Sequence, residues 1–149
     1  MSFDRAAFIV RYCEEAGDHL RAIDDALLAL EAAPGDAEPV AAAMRSMHTL
    51  KGASRMLKVT DVAALAHAAE DLLMALRDGR FGPGPGHVTL LLTAADRLRE
   101  MIGALREGRE GAVPAEDLVA ALRAAAEGTP PQLAESAAAP PADTSAEPG

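Results

Sequence analysis

The sequence predicts an all-α protein, an antiparallel up-down four-helix bundle with a fifth, short C-terminal helix. Hydrophobic residues make up 50% of the 149 residues, whereas aromatic residues make up only 3%. The apolar residues are mainly Ala and Leu, which favour helices over strands. They recur at helical spacing in four long segments joined by short connections, a pattern typical of an up-down bundle.

The first two helices are expected over residues 3–32 and 36–58. Ser2 is the expected N-cap of the first helix, and Pro34-Gly35 ends it. In the second helix, Pro39 lies in the first turn, where a missing N–H costs little. The residues of the first helix that are expected to face the core are Phe8, Tyr12 or Cys13, Leu20, Ile23, Leu27 and Leu30.

Three further helices follow. The third is expected to start at Thr60, as its N-cap, and to close before Gly79. Residues 81–86 are rich in Gly and Pro and predict a loop, after which the fourth helix carries apolar residues from Val88 to Leu105. The fifth helix is expected over residues 114–127. The bundle is therefore assigned to residues 1–128, and residues 129–149, rich in Pro, Ala, Ser and acids, predict a disordered linker.

The net charge of −9 argues against a protein that binds nucleic acid or anionic membranes, because these partners require clustered Lys and Arg. The chain opens with charged residues, Asp4 and Arg5, which predicts that it carries no signal peptide. No segment approaches the roughly 18 apolar residues that span a bilayer. Cys13 is the only cysteine and cannot form an internal disulfide. A cytoplasmic protein is expected.

His48 is the residue that the helical pattern singles out. The inward stripe of the second helix consists of Val40, Ala43, Met47, Leu50, Ser54 and Leu57. His48 lies roughly 110° from the centre of this stripe, at its solvent-side edge. Gly52 follows four residues later. A bulky side chain there would lie over the turn that carries His48, so the glycine predicts close approach by another protein.

Counting along the chain brings Glu70 to the level of His48. If the turn between the second and third helices centres near Val59, His48 lies 11 residues before it and Glu70 lies 11 residues after it. The two residues have similar offsets from their own stripes, so both face one shared groove or both face away. His67 falls near the level of Lys51. Together, these four residues are the candidate site.

Their chemistry suits an activated imidazole. A neutral imidazole is nucleophilic at one nitrogen only when the other carries the proton. Glu70 can accept a hydrogen bond from Nδ1–H and thereby favour attack by Nε2, while Lys51 can offset the negative charge of a phosphoryl group. The surroundings are basic, and the candidate docking residues for a partner protein are Gly52, Arg45, Arg55 and Met44.

His48 has two other interpretations. A single exposed histidine on an amphipathic helix is usually an ordinary surface residue. A zinc site built from His48 and His67 would need further ligands, and His19 and His87 do not have useful spacing. We therefore expect no metal and no cofactor bound to this domain.

The segment His48-Thr-Leu-Lys51-Gly52-Ala-Ser54, with Leu65-Ala-His67-Ala-Ala-Glu70-Asp71 after a turn, resembles the histidine-phosphotransfer (HPt) domain of chemotaxis histidine kinases of the CheA type. The resemblance covers about residues 3–127. It implies that a separate ATP-binding kinase domain phosphorylates Nε2 of His48, and that an aspartate in the receiver domain of a response regulator then takes the phosphoryl group. Glu70, Lys51 and His67 match the family's active-site neighbours. ATP and Mg²⁺ would belong to the partner domains.

Two positions depart from the family pattern: Ala53 and Lys58 stand where glycine is usual. Three functions remain open, namely a domain of a longer chemotaxis kinase, a free-standing relay protein, and a helical adaptor without phosphotransfer. The Ala/Pro-rich segment after Gly128 and the pair His67 and Glu70 favour the first. The sequence has no P-loop, kinase nucleotide motif or catalytic triad, so we expect a phosphoryl carrier and not a self-sufficient enzyme.

Overall fold

Five α-helices form the fold in the computed structural model, which describes residues 4–131. They are α1 (Arg5–Ala32), α2 (Ala37–Met56), α3 (Thr60–Arg77), α4 (Pro85–Arg106) and α5 (Glu116–Ala126). The predicted all-α fold is confirmed: within residues 4–131 every regular element is a helix.

Side-chain contacts show that α1 runs antiparallel to α2. The hydroxyl groups of Tyr12 and Ser54 lie 2.6 Å apart in the core. Nearer the start of α1, Nη2 of Arg5 donates a hydrogen bond to the carbonyl oxygen of Leu57 at 3.0 Å. Residues nearer the start of α1 therefore contact residues nearer the end of α2. The short turn around Val59 makes α2 and α3 antiparallel neighbours as well.

Helix α4 closes the ring by packing against α1 and, less extensively, against α3. It too runs antiparallel to α1, because Asp24 forms an ion pair with Arg99 while Arg5 pairs with Glu110 beyond the end of α4. The up-down arrangement of four helices is therefore as predicted. Among the described residues, no helix is both long and apolar enough to cross a membrane.

Helix α5 lies mainly along α3. Asp61 of α3 and Ala115, just before α5, line one groove between the two helices. Asp71 of α3 and Ala126 of α5 line a second groove further along both helices. The two helices therefore run in the same direction. As a result α3 is covered on two sides, by the bundle and by α5, and eleven of its 18 residues are buried.

The core is built largely from leucine and alanine, and Tyr12 and Cys13 both contribute to it. The prediction that Phe8 faces inward is wrong, because its side chain is 49% exposed. The inward stripe of α1 begins instead with the partly buried Ile9, and Phe8 lies beside that stripe. Leu57, predicted to be buried, is half-buried because it follows the last residue of α2.

Several helix ends differ from expectation. Asp4 caps α1 by accepting a hydrogen bond from the N–H of Ala7, and the predicted start at residue 3 with Ser2 as the cap lies outside the described residues. Thr60 is not the cap of α3. Val59 is the N-cap and Thr60 is the first helical residue. Helix α4 begins inside the predicted 81–86 loop, with Pro85 at its first position, where the fixed φ of proline suits a helix.

Lys58, two residues after the end of α2, has a left-handed backbone conformation, with φ of +61°. The backbone N–H of Lys58 bonds to the carbonyl oxygen of Arg55 at 3.0 Å, and the N–H of Val59 bonds to that of Ser54 at 2.9 Å. This arrangement satisfies carbonyl groups left open at a helix end, and glycine usually occupies the left-handed position. The turn therefore keeps the geometry of a glycine cap although a lysine occupies it.

The chain leaves the bundle beside the start of α4. After α5 ends at Ala126, the N–H of Thr129 bonds to the carbonyl oxygen of Ala124 at 3.0 Å. The ring of Pro131 then lies so close to Gly86 that a Cβ at that position would come within 3.2 Å of it. The predicted disordered linker, 129–149, falls mostly on residues 132–149, outside the described residues.

Candidate functional site

His48, Lys51 and Glu70 meet on the surface between α2 and α3. Nδ1 of His48 lies 2.7 Å from Oε2 of Glu70. Nζ of Lys51 donates to the other carboxylate oxygen, Oε1, at 2.5 Å. The His48 side chain is 67% exposed, whereas that of Glu70 is 9% exposed. The site is thus an exposed imidazole that is hydrogen-bonded to a buried carboxylate.

Packing of the apolar stripes places these side chains. On α2, Met47 and Leu50 are fully buried, which leaves His48 and Lys51 on the flank that faces α3. On α3, Ala69 and Leu73 are fully buried and turn Glu70 toward the same groove. The choice that the sequence left open, between a shared groove and opposite faces, is therefore decided in favour of the shared groove.

Glu70 is ionised in this setting. Burial raises the pKa of its carboxyl group, but hydrogen bonds from Lys51 and His48, together with their charges, outweigh burial and bring the pKa below its ordinary value of 4.5. An ionised carboxylate can only accept hydrogen bonds. In the neutral ring the proton between the two residues therefore sits on Nδ1 of His48, and Nε2 keeps its lone pair. The arrangement leaves a nucleophilic nitrogen in an exposed position.

Lys51 forms an ion pair with Glu70. Its side chain is only 11% exposed. Its ammonium group forms an ion pair with the carboxylate, and its predicted contact with a phosphoryl group stays a prediction. Lys51 and His48 hold Glu70 between them, one at each oxygen.

His67 lies one turn before Glu70 on α3 but is not part of this hydrogen-bonded trio. Its Nε2 lies 3.7 Å from Oδ1 of Asp71, four residues later on the same helix. Both side chains are about 40% exposed. The structure thus brings three of the four predicted site residues into direct contact and leaves His67 beside them.

The four candidate docking residues lie on α2 with His48 and differ in exposure and in hydrogen bonding. A Cβ added to Gly52 would meet no other atom within 4 Å, so the surface there is open. Arg55 is exposed and Met44 is half-buried. Arg45 is exposed but donates a hydrogen bond to Glu38 at 3.1 Å, which balances part of the expected positive charge.

A groove beside His48 brings in a residue that sequence reasoning missed. It is lined by Ala41, Met44, Arg45, His48, Glu70 and Arg77. Arg77 lies two helical turns after Glu70 on α3, a spacing of seven residues that places both on one face. That spacing was the available signal. Within residues 4–131, no group of three or more His, Cys, Asp or Glu residues is placed to hold a metal ion.

Comparison with known proteins places these observations in a family. The Hpt domain model matches residues 7–108. The chemotaxis protein CheA of Listeria monocytogenes is 35% identical over 113 residues, which cover 76% of this chain and 18% of that protein. CheA of Cereibacter sphaeroides is 38% identical over 126 residues, which cover 82% of this chain and 18% of that protein.

A solved structure agrees with these matches. The phosphorylated P1 domain of CheA3 from R. sphaeroides, in complex with CheY6, superposes with a TM-score of 0.74 at 31% identity, covering 82% of this chain and 97% of that one. The chain thus spans less than a fifth of the length of the two CheA proteins but nearly all of the solved domain. On the matched segment and the shared fold, this chain belongs to the Hpt domain family.

Proposed function

We propose that this domain is a phosphoryl carrier in chemotaxis signalling. His48 accepts the phosphoryl group from the ATP-binding domain of a CheA-type histidine kinase and passes it to an aspartate in the receiver domain of a response regulator. The observation that carries the proposal is the hydrogen bond between the ionised carboxylate of Glu70 and Nδ1 of His48. It favours the neutral tautomer whose lone pair is on Nε2, in a side chain that is exposed.

The chemistry follows from that tautomer. The lone pair of Nε2 forms a bond to the γ-phosphorus of ATP while the bond from that phosphorus to the bridging oxygen breaks, and ADP leaves with the electron pair. The imidazole keeps its Nδ1 proton, and the carboxylate of Glu70 offsets the positive charge that develops on the ring. In the second step the regulator's aspartate attacks phosphorus, and the electron pair of the broken P–N bond returns to Nε2.

The other residues support this pair. Lys51 fixes the second oxygen of Glu70, and His67 is assigned to the same site as a neighbour. ATP and Mg²⁺ belong to the kinase and regulator domains, and the need for ATP suits a cytoplasmic location. Relatives named as chemotaxis proteins, and the solved P1 domain in complex with CheY6, support the choice of chemotaxis as the pathway.

Intact-mass measurement after incubation with a CheA-type kinase domain, ATP and Mg²⁺ tests the proposal. The wild-type protein should gain the mass of one phosphoryl group. His48→Gln should gain none while its far-UV circular dichroism stays unchanged, because His48 is exposed and the core does not depend on it. His67→Gln is the matched control and should still be labelled. Persistent labelling of His48→Gln would overturn the assignment, as would a wild-type protein that is never labelled. The latter result would favour an adaptor.

A further inference from the structure

Two arginines, Arg45 from α2 and Arg77 from α3, line the groove beside His48. We propose that Arg45 and Arg77 form an anion-binding subsite for the oxygens of the transferring phosphoryl group. This inference rests on the proposed function and adds residues to the same site. Within that groove they are the two cationic side chains, one from α2 and one from α3.

The third cation near His48 is Lys51, and in the structure it is directed at Glu70. Its ammonium group donates to Oε1 of Glu70 at 2.5 Å, and little of the side chain reaches solvent. Drawing it toward a phosphoryl group would leave the carboxylate of Glu70 buried with one partner fewer, which is unfavourable. A phosphoryl group at Nε2, which points away from Glu70, therefore needs other cations.

The two arginines can be drawn away from their present partners easily. Arg45 pairs with Glu38, and Nε of Arg77 lies 3.1 Å from Oδ1 of Asp78. Every side chain in these two pairs is at least half exposed. Exposed ion pairs of this kind contribute little to stability, so a guanidinium group can exchange a carboxylate for phosphoryl oxygens. Its planar array of N–H donors also matches phosphate oxygens better than an ammonium group does.

The antiparallel register of α2 and α3 places Arg45 and Arg77 on the same side of His48 along the groove. With His48 opposite Glu70, Arg45 on α2 lies opposite residue 73 on α3. Helical side chains lean toward the N-terminus of their helix, so Arg77 leans back along α3 toward that level. The imidazole of His48 leans in the direction of Arg45 for the same reason. The groove between these three side chains is open to solvent and large enough to admit a phosphoryl group.

The test uses the 149-residue chain and two phosphoryl donors. Phosphoramidate transfers its phosphoryl group to an imidazole with loss of ammonia and without a docking protein. The kinase domain with ATP requires docking as well. Arg45→Gln and Arg77→Gln should each slow labelling by phosphoramidate about fivefold to tenfold, and the double variant should be slower still. Arg77→Lys should recover part of the rate. Arg109→Gln is the control, since Arg109 is an exposed, ion-paired arginine outside the groove.

Ionic strength supplies a second readout that a purely structural role would not change. Salt should slow labelling of the wild-type protein and have a smaller effect on the double variant, because its attractive charges are gone. Double-variant rates equal to those of Arg109→Gln would overturn the subsite. A defect seen only with the kinase domain would also overturn it, since it would indicate protein docking. If neither donor labels the wild-type protein, the proposed function itself fails and the subsite falls with it.

Discussion

Oε2 of Glu70 lies 2.7 Å from Nδ1 of His48, although the two residues are 22 positions apart in the sequence. The other oxygen of the same carboxylate is taken by Lys51. Both acceptors of the carboxylate are therefore in use, and each is bound to a group that donates. A side chain with only one acceptor oxygen cannot serve both partners.

Glu70→Gln should consequently reverse the tautomer of His48. If the amide oxygen faces Lys51, the NH₂ group faces Nδ1, which must then accept, and the proton moves to Nε2. Phosphorylation by the kinase domain should slow at least tenfold, equivalent to about 1.4 kcal/mol of barrier. Nitrogen chemical shifts of the His48 ring, measured by NMR, would report the tautomer. An unchanged ring spectrum with unchanged labelling would show that Glu70 does not control the imidazole.

The same variant should also be less stable. Glu70 is one of the few buried polar side chains among the described residues. Replacing this carboxylate with a neutral amide removes the ion pair with Lys51. We expect a loss of about 1–3 kcal/mol in the free energy of unfolding. Urea unfolding followed by circular dichroism would measure it.

Gly52→Gln should slow phosphoryl transfer without lowering the stability of the protein. The new side chain has space at Cβ, and replacing a mid-helix glycine removes a cost of about 1 kcal/mol relative to Ala, so stability should hold or rise slightly. Transfer of the phosphoryl group from His48 to a response regulator should slow, because the side chain leans over the turn that carries His48. Gly103→Gln on α4, where Cβ also meets nothing within 4 Å, is the matched control. Equal transfer rates for the two variants would dismiss the role of Gly52 in clearance.

Lys58→Gly should stabilise the protein. A left-handed residue other than glycine costs roughly 1–2 kcal/mol, part of which glycine returns through its larger entropy in the unfolded state. We expect a net gain of about 0.5–1 kcal/mol, seen as a rise of a few degrees in Tm. Lys58→Ala keeps the strained Cβ and removes the charge, so it should give no such gain. A similar gain in both variants would mean that the lysine charge, and not φ, is responsible.

His87 makes the start of α4 sensitive to acid. Its Nδ1 accepts a hydrogen bond from the N–H of Gly84 at 3.1 Å, and its ring stacks on Phe81 with centroids 5.1 Å apart. Burial lowers the pKa of His87 below its ordinary value of 6.5. The unfolded chain therefore takes up the proton first. The contribution of His87 to stability is complete above pH 6.5 and declines as the pH falls from there toward the lower folded-state pKa.

His87→Gln should flatten that decline, because a glutamine amide can accept the same hydrogen bond at any pH. The free energy of unfolding, measured from pH 7.5 to 5, should fall less steeply in the variant than in the wild-type protein. His19→Gln, which alters no helix cap, serves as the control. A slope that is steeper in His87→Gln than in the wild-type protein would contradict the role assigned to the ring.

Much of the fold and part of the site could be predicted because they depend on spacing alone. The apolar stripes fixed the helices, and equal distances from the turn brought His48 and Glu70 to one level. Two adjacent apolar residues, Phe8 and Ile9, stand near the start of α1, and the wrong one was assigned to the inward stripe. Spacing cannot tell which of two adjacent residues will cap a helix, as at Val59 and Thr60.

Other features depend on tertiary neighbours. The burial of Lys51 follows from how closely α2 and α3 pack, and the pairing of His67 with Asp71 follows from a choice of rotamer. Arg77 becomes part of the site only because the groove continues past Glu70 toward the end of α3. The period of α3 places His67 and Asp71 on one face, and Glu70 and Arg77 likewise, but it does not decide which contacts form.

The position of α5 bears on where this domain can be cut or grafted. The segment shared across the family ends at residue 108, before α5 begins. Yet α5 covers one side of α3, the helix that carries Glu70, and buries Leu118 and Leu122. A truncation at the family boundary would leave leucines and alanines of α3 facing water. The smallest unit that can be transplanted into a chimeric kinase with its carboxylate held in place therefore extends to Gly128.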